Sequence, residues 1–127
     1  MKTLIYALLC LIPITACFGQ TTPPDNLDGK TYVIESYIGD EKQPDDLLSF
    51  KDGKVEAAEC KKWGFFAADY SYNKKDGSVS CLMTSEKEGK MTWTGKVEGS
   101  QFSGTVLWVK SGQDDIIMAF KGSEKKK

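Results

Sequence analysis

Three kinds of side chain in this sequence could carry chemistry. They are the thiols of Cys60 and Cys81, the adjacent carboxylates Asp45-Asp46 and Asp114-Asp115, and a set of large aromatics that includes Trp63, Phe66, Tyr70, Trp93 and Trp108. What surrounds them narrows the choice. The chain has no histidine, which removes the commonest general base and the commonest zinc ligand. All 17 basic residues are lysine, so there is no guanidinium fork to hold a phosphate or carboxylate at two points. Two thiols without CxxC spacing do not make a zinc site. The aspartate pairs lack the alternating Asp-x-Asp-x-Asp-Gly order of a calcium loop and read as solvated turn residues. The doublets Lys61-Lys62 and Lys74-Lys75 are interspersed with acids and read as solvated surface. No nucleophile–base pair emerges, so neither a catalytic residue, a metal nor a cofactor is expected. The aromatics remain. They either fill a core or line a pocket for a small apolar ligand, with Trp63, Phe66, Tyr70, Trp93 and Trp108 as the candidate lining.

The N-terminus gives an address. Lys2 is followed by a charge-free apolar run, Thr3 to Ala16, long enough for the apolar region of a signal peptide. It is short of the roughly 18–20 residues that a spanning helix needs. The run ends in Ile14-Thr15-Ala16-Cys17, which resembles the lipobox of bacterial lipoprotein precursors. The resemblance implies removal of residues 1–16 and attachment of diacylglycerol to the Cys17 thiol, with further acylation of the new amine. Several acyl chains give stable membrane anchoring where one is marginal. Phe18 after the cysteine, rather than Asp, implies sorting to the outer membrane, facing the periplasm or the surface. Without lipidation the chain would be periplasmic or secreted. Cleavage before Cys17 leaves 16 lysines against 18 acids, a balance that offers no attraction to nucleic acid.

The elements that must position the aromatics read as strands. Residues 17–28 form a lipidated N-terminus and flexible tether, with Pro23-Pro24 favouring extended backbone. Residues 123–127 are a charged tail. Between them, in a domain spanning 29–122, short apolar runs alternate with Gly- and Asp-containing turns. Strands are expected at 30–38, 46–51, 54–60, 65–72, 78–86, 90–98, 101–110 and 115–121. Met91, Trp93, Gly95 and Val97 share one face of their strand, and Phe102, Gly104, Val106 and Trp108 repeat the pattern. The regular spacing predicts an all-β, up-and-down antiparallel meander of about eight strands, and closing it into a barrel would remove exposed edges. One stretch reads two ways. Lys54 to Trp63 is either a strand running into a helical turn or a helix in place of a strand, and Asp52-Gly53, as a tight hairpin turn, favours the strand.

The order Leu48-x-Phe50-x-Asp52-Gly53, Cys60, Gly64-Phe65, Tyr70 and Gly89-Lys90-Met91-x-Trp93-x-Gly95 resembles a small uncharacterised family of bacterial envelope proteins with lipocalin-like barrels. The resemblance implies the fold and carries no catalytic or binding residues. An eight-stranded barrel is just wide enough to be filled by its own side chains or to hold one small ligand. Short strands with large inward residues favour filling. In the meander register Cys60 falls opposite about Phe66 and Cys81 opposite Asp69 or Tyr70, two strands apart and too distant for a disulfide. The expected function is therefore a non-enzymatic envelope lipoprotein, an interaction or structural module tied to the membrane by its lipid. A carrier or sensor of a small apolar ligand is the second reading, and an envelope protein the alternative partner.

Overall fold

The computed structural model describes residues 24–126. The expected signal peptide at 1–16, Cys17 and most of the expected tether lie outside the described residues. The barrel expected from the alternation is present. Strands β1 (Thr31–Ile38), β3 (Asp46–Lys51), β4 (Lys54–Ala57), β5 (Ala68–Asn73), β6 (Ser78–Ser85), β7 (Gly89–Glu98), β8 (Gln101–Val109) and β9 (Ile116–Glu124) each pair antiparallel with the next, and β9 returns to β1. A two-residue strand, β2 (Glu41–Lys42), folds back on the end of β1 as an addition outside the closed ring.

Local chemistry explains most of the path. Asp52 and Gly53 both have positive φ, 54° and 78°, as the two central residues of a hairpin turn matched to strand twist require. Along β7, Met91 and Trp93 are buried and their neighbours exposed; along β8, Phe102 and Val106 are buried likewise. Gly95 faces Gly104 across β7 and β8. A Cβ on Gly95 would sit 2.9 Å from the Phe102 ring and 3.0 Å from the Phe120 ring, so the bare backbone there makes room for both aromatics.

Four boundaries differ from expectation. The strand expected at 54–60 stops at Ala57 and continues as one helical turn, α1 (Ala58–Lys61), and β5 begins at Ala68 rather than at residue 65. The two anticipated pieces of the 54–63 stretch are thus both present in series. At the C-terminus, β9 runs to Glu124, taking Ser123 and Glu124 out of the expected tail. Ser123 pairs with Gln101 and Val33, and the Lys125 N–H donates to the Thr31 carbonyl at 2.7 Å. The tether also ends earlier than expected. Leu27 is fully buried, its N–H donates to the Tyr70 hydroxyl at 2.8 Å, and that hydroxyl donates to Asp28 at 2.8 Å.

Leu27 stoppers one end of the barrel, and behind it the interior is solid with rings. Tyr32, Phe50, Tyr70, Phe102 and Phe120 form a chain of edge-to-face and tilted contacts, with centroids 4.8–6.2 Å apart. These are spacings at which aromatic pairs add stability beyond area burial. Gly53, in the turn after β3, donates its N–H to Asp28 at 3.1 Å and closes the same end.

Candidate functional site

The opposite end is open. The expectation that side chains fill the whole interior fails there: a cavity of about 350 Å³ opens among the ends of β1, β7, β8 and β9 and the α1 corner. The reason lies in residue size. Where the closed end has five rings in mutual contact, this end receives Ile34 and Ser36 from β1, Met91 from β7, Val106 from β8 and Met118 from β9, and its own rings, Trp63, Phe65, Trp93 and Trp108, stand around the cavity as floor, wall and rim. Trp93 is the floor between the two regions, its ring 5.2 Å from that of Phe120 on the closed side while it also lines the cavity.

The corner after α1 forms one side of the opening. Trp63 N–H and Phe65 N–H both donate to the Cys60 carbonyl, at 2.9 and 3.2 Å, and Ser85 Oγ on β6 donates to the Trp63 carbonyl at 2.8 Å. The tight turn splits two neighbouring phenylalanines. Phe65 is buried against the cavity, whereas Phe66 is 62% exposed and lies off the lining. Trp63 lines the rim and is also 62% exposed. The same Ser85 Oγ accepts the Glu88 N–H at 3.1 Å; Trp108 Nε1–H donates to the Glu88 carbonyl at 2.6 Å, and the Glu88 carboxylate pairs with Lys110 at 2.9 Å.

Asp46 is the polar centre of this end, and it corrects the reading of Asp45-Asp46 as solvated. Asp45 is exposed and pairs with Lys42 at 3.4 Å, but Asp46 is only 8% exposed. Its Oδ1 accepts the Glu59 N–H at 2.7 Å and the Leu47 N–H at 2.8 Å. The residue before α1, Ala57, has no side chain that could cap the helix, so a carboxylate from the start of β3 does so instead. Asp46 Oδ2 faces only the Cys60 thiol, at 3.5 Å.

Cys60 and Cys81, the cysteines among the described residues, are free, and neither is built to react. Burial, reinforced by the negative charge of Asp46, pushes the Cys60 thiol up to about 12. Burial alone pushes Cys81 up to about 12. At neutral pH both are therefore thiols rather than thiolates, and the thiolate is the nucleophile. Cys60 is directed at Asp46 and at Met91 Sδ, 3.9 Å away, while Cys81 stands on β6 opposite Tyr70 and Trp93. The helical turn, not strand register, places Cys60. Among the described residues, no group of three or more His, Cys, Asp or Glu side chains converges as metal ligands.

Of the five aromatics singled out in the sequence, the fold brings Trp63, Trp93 and Trp108 to one cavity. Phe66 is turned outward. Tyr70 belongs to the closed end, where it holds Leu27 and Asp28. Strand tilt separates it from the others: Tyr70, Cys81, Trp93, Val106 and Met118 form one continuous cross-strand row, and in a tilted barrel such a row climbs from one end to the other. Sequence reading missed Ile34, Met118 and Asp46. The alternation of β1 and β9 marks the first two as inward; nothing local marks Asp46, whose partners are 1, 13 and 14 residues away. No family model, curated protein or solved structure matches this chain.

Proposed function

We propose that this protein is a non-enzymatic lipoprotein of the bacterial envelope, anchored in the outer membrane through Cys17, whose barrel carries or senses a small apolar ligand at its open end. One observation moves the reading from interaction module to carrier. The cavity of about 350 Å³, walled by Ile34, Met91, Trp93, Val106 and Met118, has the size and apolar character of a small-molecule site. Binding rather than catalysis is supported by the two protonated thiols and by a sequence without histidine.

Titration with N-phenyl-1-naphthylamine, a neutral apolar probe whose emission rises on leaving water, tests the carrier reading. The expected result is saturable enhancement at one site per chain, abolished by Met118→Trp, which puts a larger side chain into the opening. No enhancement, or one that Met118→Trp leaves unchanged, overturns it. The anchor has its own test. Cys17→Ser is expected to release a soluble form or to block processing, and an unmodified wild-type N-terminus at Gln20 or Thr21 would exclude lipidation.

A further inference from the structure

The cavity wall carries a charge pattern that its apolar character does not explain. Asp46, Glu59 and Glu88 all line it, and no lysine does, in a chain with 17 of them. Two of the three acids are neutralised from outside the wall. Glu59 pairs with Lys62 at 2.9 Å and Glu88 with Lys110 at 2.9 Å. Asp46 is different: it is more than nine-tenths buried and makes no ion pair among the described residues. Its Oδ1 has two backbone donors, whereas Oδ2 has only the weak S–H of Cys60. Asp46 thus has hydrogen-bond partners but no cation against its charge, and on the wall of an apolar, ligand-sized cavity such a charge favours a cation over an anion.

The two rim tryptophans make the same choice, whereas Trp93 Nε1–H, buried without a partner among the described residues, offers a donor to an uncharged acceptor on the ligand. Trp63 and Trp108 line the opening with Asp46, and indole is the best of the aromatic surfaces for attracting a cation. A carboxylate-headed ligand would meet the unpaired charge of Asp46 and no lysine on the wall. We propose that the pocket selects an apolar molecule bearing an ammonium group, its chain or ring against Trp93, Val106 and Met118 and its cation beside Asp46 Oδ2. This rests on the reading of the cavity as a ligand site and adds the chemistry of the ligand's polar end.

Three probes with the same chain, decyltrimethylammonium, decanol and decanoate, separate the charge from the cavity. They are titrated into the full-length chain carrying Cys17→Ser, below their micellar concentrations, with tryptophan fluorescence and calorimetry as readouts. The ammonium is expected to bind at least about tenfold more tightly than decanol, since a quaternary cation is drawn to the Asp46 charge and to the indole faces although it donates no hydrogen bond. Decanoate is expected to bind more weakly than decanol. In Asp46→Asn the ammonium's advantage over decanol disappears while decanol binding is unchanged. Should that variant fail to fold because it caps α1 poorly, the wild type's order of ammonium over decanol over decanoate is the test that decides. Equal binding of all three probes, or preference for decanoate, overturns the charge selection and leaves the cavity reading intact. Binding of none of them overturns both.

Discussion

The two ends of this barrel are made from the same strands and differ in what those strands turn inward. At one end Tyr32, Phe50, Tyr70, Phe102 and Phe120 pack ring against ring under a leucine stopper; at the other, Ile34, Ser36, Met91, Val106 and Met118 leave a cavity beneath a tryptophan rim. Small residues and flexible thioethers cannot fill a cross-section that rings fill. The closed end therefore supplies the cohesion that lets the open end stay unfilled, a division of labour within one barrel. Period-two alternation is blind to this division, because it reports which face is inward and not how much space the inward face fills.

The sharpest way to break the comparison is to truncate one residue at each end. Phe102→Ala removes a fully buried ring that contacts Tyr32, Phe50 and Phe120, and is expected to cost about 3–5 kcal/mol. Met118→Ala removes a half-buried side chain that already borders open space, and is expected to cost under about 1.5 kcal/mol, below the range for buried methionines. Urea unfolding of both variants, read as a shift in midpoint at constant slope, measures the difference. Equal losses would mean that the open end is as tightly packed as the closed one.

The regular part of this architecture was legible because it is local. Turns such as Asp52-Gly53 carry their own geometry, and β7 and β8 show their inward faces in order of sequence. What escaped was set by contacts across the fold. Residues 58–61 turn into helix where a carboxylate from β3 caps the Glu59 N–H, a donor–acceptor pair 13 residues apart. Leu27 is one apolar residue in a polar tether, and only the barrel end it meets makes it a stopper. Phe65 and Phe66 are adjacent and chemically identical; the corner fastened by Ser85 buries one and exposes the other. The candidate pocket was half visible for the same reason, since aromatics can be counted in a sequence but the tilt that sends Tyr70 to one end and Trp93 to the middle cannot.

A smaller effect tests how dry the closed end is, and it predicts opposite signs for two tyrosines that touch the same ring. Tyr32 and Tyr70 both pack edge-on to Phe50, at 5.9 and 4.8 Å. The Tyr32 hydroxyl is buried with no hydrogen-bond partner among the described residues, and burial pushes its ionisation up to about 12. The Tyr70 hydroxyl accepts from Leu27 N–H and donates to the Asp28 carboxylate. An unsatisfied buried hydroxyl costs about 1–3 kcal/mol, whereas a satisfied one contributes about 1 kcal/mol. Tyr32→Phe keeps the ring and deletes only the orphan, so it is expected to raise stability by about 1 kcal/mol. Tyr70→Phe deletes both bonds that hold the stopper and is expected to lower stability by about 1 kcal/mol. Thermal unfolding of the two variants gives the signs directly. A loss in both would place a water molecule on Tyr32 and make the closed end wet; a gain in Tyr32→Phe alone fits a dry aromatic plug behind Leu27.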